Sequence, residues 1–131
     1  MLIIKNENIE SFDVDGTLIV HQEPHTIPPG ESVNVYDAVT KKFITVRINR
    51  NMIRLLKEAK SRGFYVKVWS KGGWRWAVDV VKALDLVDFV DQVESKPLHY
   101  FDDIDVSEWI GQRVFIGLDT IYKKININKR K

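Results

Sequence analysis

At 131 residues, 44% hydrophobic and 29% charged, the chain is long enough for one domain with a real core and too short for two. No apolar run approaches the ~20 residues that span a bilayer, Met1 to Lys5 is too short an apolar start for a signal peptide, and the lack of cysteine excludes a disulfide framework or a thiolate zinc site, so a cytoplasmic, non-membrane protein is expected. The net charge of +2 is uneven: the last nine residues carry +5 and no acid, and +2 less +5 leaves −3 for the preceding 122.

Taken in chain order, Leu2 to Lys5 reads as a short edge strand and Ile9 to Asp13 as the first core strand. His21 to Gly30 holds Pro24, Pro28 and Pro29 and reads as an extended loop. Val33 to Tyr36 and Phe43 to Ile48 alternate and are β-branched, with the polar stretch Asp37 to Lys42 between them, which predicts a hairpin. The insert 19–49 is therefore expected to be a small hairpin standing over the end of the first strand as a flap. Met52, Leu55, Leu56 and Ala59 form one apolar helical face, capped by Asn49 or Asn51 and ended by Gly63. Phe64 to Trp69 is the next strand, broken by Ser70 to Gly73; Ala77, Val80, Val81 and Leu84 mark a second helix. Short strands are expected around Phe89–Val90, in the segment leading to Asp102–Asp103, and at Arg113 to Gly117. Strands alternating with amphipathic helices predict an α/β domain over 1–131, Rossmann-like and three-layered, with a central parallel sheet and helices on both faces. Residues 119–131 form a basic tail, suited to contact with nucleic acid or to remaining a solvated end.

Asp13-Val14-Asp15-Gly16-Thr17 follows the first strand. Two carboxylates two residues apart, with a glycine that lets the chain turn, suit one divalent cation and one phosphate. An acidic surface turn is the plainer reading. A calcium loop fails, because Gly16 comes too early and Pro24 stands where an EF-hand needs glutamate. Ligands of open α/β sheets bind beyond the carboxyl ends of the strands. Asp13, Asp15, Ser70, Asp102 and Asp103 are all expected there, with Lys96 in a neighbouring loop. Independent surface turns have no reason to gather in that place.

Other residues are discounted. His21, His25 and His99 do not have the pattern of a zinc site. Trp74 and Trp76 are read first as packing over the sheet's upper edge and second as platforms for a nucleobase.

In order and kind these motifs resemble the haloacid dehalogenase superfamily of phosphotransferases, over roughly residues 9 to 117. Asp13 to Thr17 matches its first motif, Val66 to Ser70 its second, Lys96 its third and Asp102–Asp103 its fourth. The small insert resembles minimally capped members, and Val68 to Gly73 together with Ser95 to Asp103 looks like small members of the superfamily, many of them phage-encoded. The resemblance implies that Asp13 attacks phosphorus and forms an aspartyl-phosphate, while Asp15 serves as acid and then base. It implies Mg²⁺ at Asp13, Asp15 and one of Asp102 and Asp103. Ser70, Lys96 and the amides of Lys71 and Gly72 would hold the phosphate. Aspartate at both positions resembles phosphatases and phosphomutases rather than dehalogenases or ion pumps. The expected function is thus a Mg²⁺-dependent phosphomonoesterase acting on a nucleotide, a nucleic-acid end or a small metabolite. The alternative is a non-catalytic binding protein of the same fold, contacting nucleic acid through its tail.

Overall fold

A computed structural model of the chain describes residues 1–110 and 121. Among these residues, two three-stranded sheets share one core. The first is parallel, in the order β1 (Ile9–Asp13), β5 (Tyr65–Ser70), β6 (Gln92–Ser95). The second is antiparallel, in the order β2 (Ile19–Val20), β4 (Lys42–Ile48), β3 (Ser32–Asp37). Helices α1 (Arg50–Ser61) and α2 (Trp74–Ala83) connect the parallel strands, and a single turn, α3 (Val106–Trp109), follows β6. The fold is mixed α/β, and among the described residues no helix is long and apolar enough to cross a membrane.

Local chemistry explains the helix ends. Asn49 caps α1, its side chain accepting from the Met52 N–H at 3.4 Å. At the other end Gly63, at φ +86°, donates to Lys60 O, and Phe64 donates to Ala59 O. This pair of bonds closes the last turn and requires the left-handed residue that glycine supplies. The same closure ends α2 with Asp85 at φ +57°, Asp85 N–H to Lys82 O and Leu86 N–H to Val81 O. Leu86 is fully buried there, so an aspartate tolerates the left-handed conformation in exchange for a well-packed neighbour.

The insert leaves and returns at one place. Ile19 pairs with Ile48, and the Asn49 N–H bonds to Leu18 O at 3.0 Å. Between these ends the hairpin turns one face into the core. Val35 and Val46 are fully buried, and with Val33 and Ile44 they join the core that contains Ala77 and Val80 of α2. Strand β3 packs against α2, and the Ala38 N–H bonds to Asp79 Oδ2 at 3.1 Å. The reason is the alternation itself: one face of the hairpin is apolar and has to be covered. The other face is outside, where Tyr36 and Phe43 meet edge-on as a cross-strand pair.

Four sequence expectations require correction. Leu2 to Lys5 forms no strand, and Leu2 and Ile3 are exposed. Phe89–Val90 is not a strand; Val87–Phe89 is a 3₁₀ turn, and the strand starts at Gln92. The apolar residues there serve packing, whereas β6 itself is mostly polar and gives little hydrophobic signal. No strand precedes Asp102–Asp103, because Pro97 lacks a donor and Leu98 and Phe101 lie exposed. Finally, the core lies on one face of the parallel sheet among the described residues. Val66 and Val68 of β5 are buried with both helices, while Tyr65, Lys67 and Trp69 on the opposite face are only partly covered. Lys67 there pairs with Glu94 at 2.9 Å and lies over the Trp69 ring. Such alternation marks a strand with one apolar face, unlike the continuous apolar run of one covered on both. The expected strand at Arg113 to Gly117 and the tail lie outside the described residues, apart from residue 121.

Asp91 fastens β6 to β5. Its carboxylate accepts from the Val66 N–H at 2.8 Å and from Lys60 Nζ at 2.6 Å, and its own N–H bonds to Val66 O. Burial works against its charge, but the Lys60 and Val66 hydrogen bonds outweigh it and hold the carboxyl below its ordinary range. A carboxyl lowered on folding stabilises above its unfolded value of about 3.9, and that contribution is lost as pH falls through the folded value. Asp91→Asn is therefore expected to cost about 1 kcal/mol at pH 7. The difference from wild type should shrink at pH 3, as read from urea midpoints at the two pH values.

Candidate active site

The end of β1 is shaped by its own backbone. The Gly16 N–H bonds to Ile19 O at 2.8 Å, and Val14 O receives the N–H groups of Thr17 and Leu18. Gly16 sits at φ +78°, a conformation that side chains disfavour, so the tight turn depends on glycine. Val14 and Leu18 point into the core with no exposure, which leaves Asp13 and Asp15 on the outer side. In register, Asp13 lies beside Trp69 and Ser70 beside Ser95, so β1, β5 and β6 deliver their ends to one edge.

An open cleft of about 490 Å³ lies at that edge, lined by Asp13, Asp15, Lys71, Gly72 and Lys96. Residues 83 positions apart in sequence thus meet: Lys96 Nζ stands 3.1 Å from Asp13 Oδ1. Thr17 Oγ1 approaches the other Asp13 oxygen at 3.5 Å. The pair is about one-third exposed on each side, accessible to an incoming anion. The loop after β5 is braced by Ser70, which is buried. Its Oγ accepts from the Gly72 N–H at 3.0 Å, and its carbonyl receives the N–H groups of Gly73 and Lys96. Ser70 therefore shapes the loop that lines the cleft and does not line it itself. A side chain at Gly72 would begin 3.3 Å from Ser70 Oγ, tighter than ordinary packing.

Asp15 has two partners that the sequence did not suggest. His21 Nε2 lies 2.7 Å from Asp15 Oδ1, and Trp76 Nε1–H donates to the same oxygen at 3.1 Å. The two rings are nearly parallel, at 21° with centroids 6.4 Å apart. Trp76 is thus neither plain packing nor a free platform. Trp74, by contrast, is 52% exposed at the start of α2, with the Arg75 guanidinium 5.0 Å from its ring. The signal for Trp76 was its place in the first turn of α2, directly after the Gly72–Gly73 break; His21 carried none, because its approach depends on the path of the insert.

Asp102 and Asp103 do not line the cleft. Asp102 Oδ1 accepts from the Ile104 N–H at 3.1 Å, a local turn in an exposed segment. Among the described residues, no three His, Cys, Asp or Glu side chains stand together in a way that could hold a metal ion. Among the described residues, the carboxylates that line the cleft are those of Asp13 and Asp15.

Comparison with protein-family models, with curated proteins and with solved structures returned no match.

Proposed function

We propose that the chain is a phosphomonoesterase of Rossmann-like, haloacid-dehalogenase type, working through an aspartyl-phosphate on Asp13. The observation that carries this reading is the meeting of Asp13, Asp15, Lys96 and the Lys71–Gly72 loop in one open cleft. Phosphoryl transfer calls for alignment and charge neutralisation more than for unusual chemistry.

In this reading the phosphate sits between Lys96 Nζ and the loop at Lys71 and Gly72. Lys96 draws the anion to the nucleophile and offsets its repulsion from the Asp13 carboxylate. One Asp13 oxygen attacks phosphorus as the P–O bond to the leaving group breaks. Asp15 gives its proton to the leaving oxygen. It then takes a proton from the water that attacks phosphorus, releasing inorganic phosphate and restoring Asp13. Mg²⁺ would be held by the Asp13 carboxylate and the Asp15 main-chain carbonyl, since that ion takes one or two carboxylates together with substrate phosphate and water. When bound, Mg²⁺ would supply charge neutralisation between nucleophile and phosphate. Asp102 and Asp103 are not required for that donor set.

The hairpin's placement against α2 leaves the cleft open, which suits large or exposed phosphate esters. The test is turnover of an aryl phosphate, nucleotides and 3′- or 5′-phosphorylated oligonucleotides, with Mg²⁺ and with EDTA. Phosphate release that EDTA stops is the expected result. Turnover indifferent to EDTA would remove the metal, and no release from any ester would leave the non-catalytic binding reading.

A further inference from the structure

Asp15 is held from two sides by segments remote from its own loop. His21 comes from the insert, one residue beyond β2, and Trp76 from the first turn of α2. Both address Oδ1, at 2.7 and 3.1 Å, and Oδ2 has no hydrogen-bond partner among the described residues. A carboxylate turns freely about its last bond unless its oxygens are distinguished by neighbours. Two donors converging on one oxygen fix the carboxyl plane and leave the second oxygen for other work. With Asp15 ionised, both Nε2–H of His21 and Nε1–H of Trp76 donate to Oδ1. The two rings lie nearly parallel beside that oxygen. Trp76 is half-buried in α2, while His21 is 55% exposed and reaches Asp15 from outside.

We infer that His21 and Trp76 are positioning residues that clamp Asp15 Oδ1 and present Oδ2 to the oxygen of the leaving group. The inference rests on the phosphomonoesterase reading and adds to it a link between insert and chemistry. The insert then contributes no wall to the cleft but one hydrogen bond to its acid. In the step concerned, the proton passes from the Asp15 carboxyl to the leaving oxygen as the P–O bond breaks, so a misaligned carboxyl hurts poor leaving groups most.

The test compares the full chain with Trp76→Phe, His21→Ala and His21→Gln, in Mg²⁺, on an alkyl phosphate and an activated aryl phosphate. Trp76→Phe and His21→Ala are expected to lower kcat on the alkyl ester by on the order of ten- to hundredfold, with a much smaller loss on the aryl ester. KM should hardly move, because neither residue lines the cleft. His21→Gln keeps a donor and should recover most of the loss. Equal losses on the two esters, or none, would overturn the clamp while leaving the phosphatase intact. A wild-type chain that releases phosphate from neither ester would overturn the phosphatase reading and the clamp with it. Circular dichroism checks the fold of each variant. Should Trp76→Phe not fold, the exposed His21 pair of variants decides alone.

Discussion

Asp13→Asn is expected to lower kcat by on the order of 10⁴- to 10⁶-fold, the scale on which loss of a nucleophile is felt. The amide is nearly isosteric but a far poorer nucleophile, so substrate can still bind while no aspartyl-phosphate forms. Stability should change little. The Asp13–Lys96 pair is about one-third exposed on both sides, and ion pairs of that kind contribute at most about 1 kcal/mol. The measurement is single-turnover phosphate release beside a thermal melt, with deamidation excluded by mass spectrometry. Substantial turnover by the intact amide would end the nucleophile assignment.

Asp15→Asn should separate substrates by leaving group. The amide that replaces the carboxylate can still accept from His21 and Trp76 through its carbonyl oxygen, so the clamp persists while the proton carrier is gone. Loss on an alkyl phosphate is expected to be on the order of 10²- to 10⁴-fold, the usual contribution of general acid–base catalysis. An aryl phosphate, whose leaving group departs without a proton, should lose less in the first step. Hydrolysis of the intermediate still needs a base, so its aryl rate should become limited by the second step, visible as a burst of phenol followed by slow turnover. Identical losses on both esters, with no burst, would show that Asp15 is not the acid.

The sequence by itself was enough for the elements whose signals are local. Asn49, one of the two caps the sequence allowed, and Gly63 bracket α1 because capping and the left-handed turn are decided by a few neighbouring atoms. The alternation in Val33 to Tyr36 and Phe43 to Ile48 specifies a hairpin, since a period of two leaves a strand one face to bury. Asp13, Asp15, Ser70, Asp102 and Asp103 were expected at one edge, with Lys96 in a neighbouring loop, because parallel strands deliver their carboxyl ends together; Asp13, Asp15 and Lys96 line the cleft there and Asp102 and Asp103 do not, since no strand carries them to it. Ser70 was legible as part of that edge but not as the brace it is, with its hydroxyl turned to Gly72.

Tertiary structure decided what depends on competition between surfaces. The hairpin lies against α2 because its apolar face and that of α2 cover each other better than water does, a balance no local pattern contains. The polar strand β6 exists because β5 offers an unpaired edge and Asp91 fastens its start, although its own residues scarcely announce a strand. His21 and Trp76 reach Asp15 from 6 and 61 residues away, and only the packing of the insert and α2 around the end of β1 brings their ring nitrogens to one oxygen. A side chain's chemistry is written in the sequence, but the partner it meets is set by how separate faces find cover.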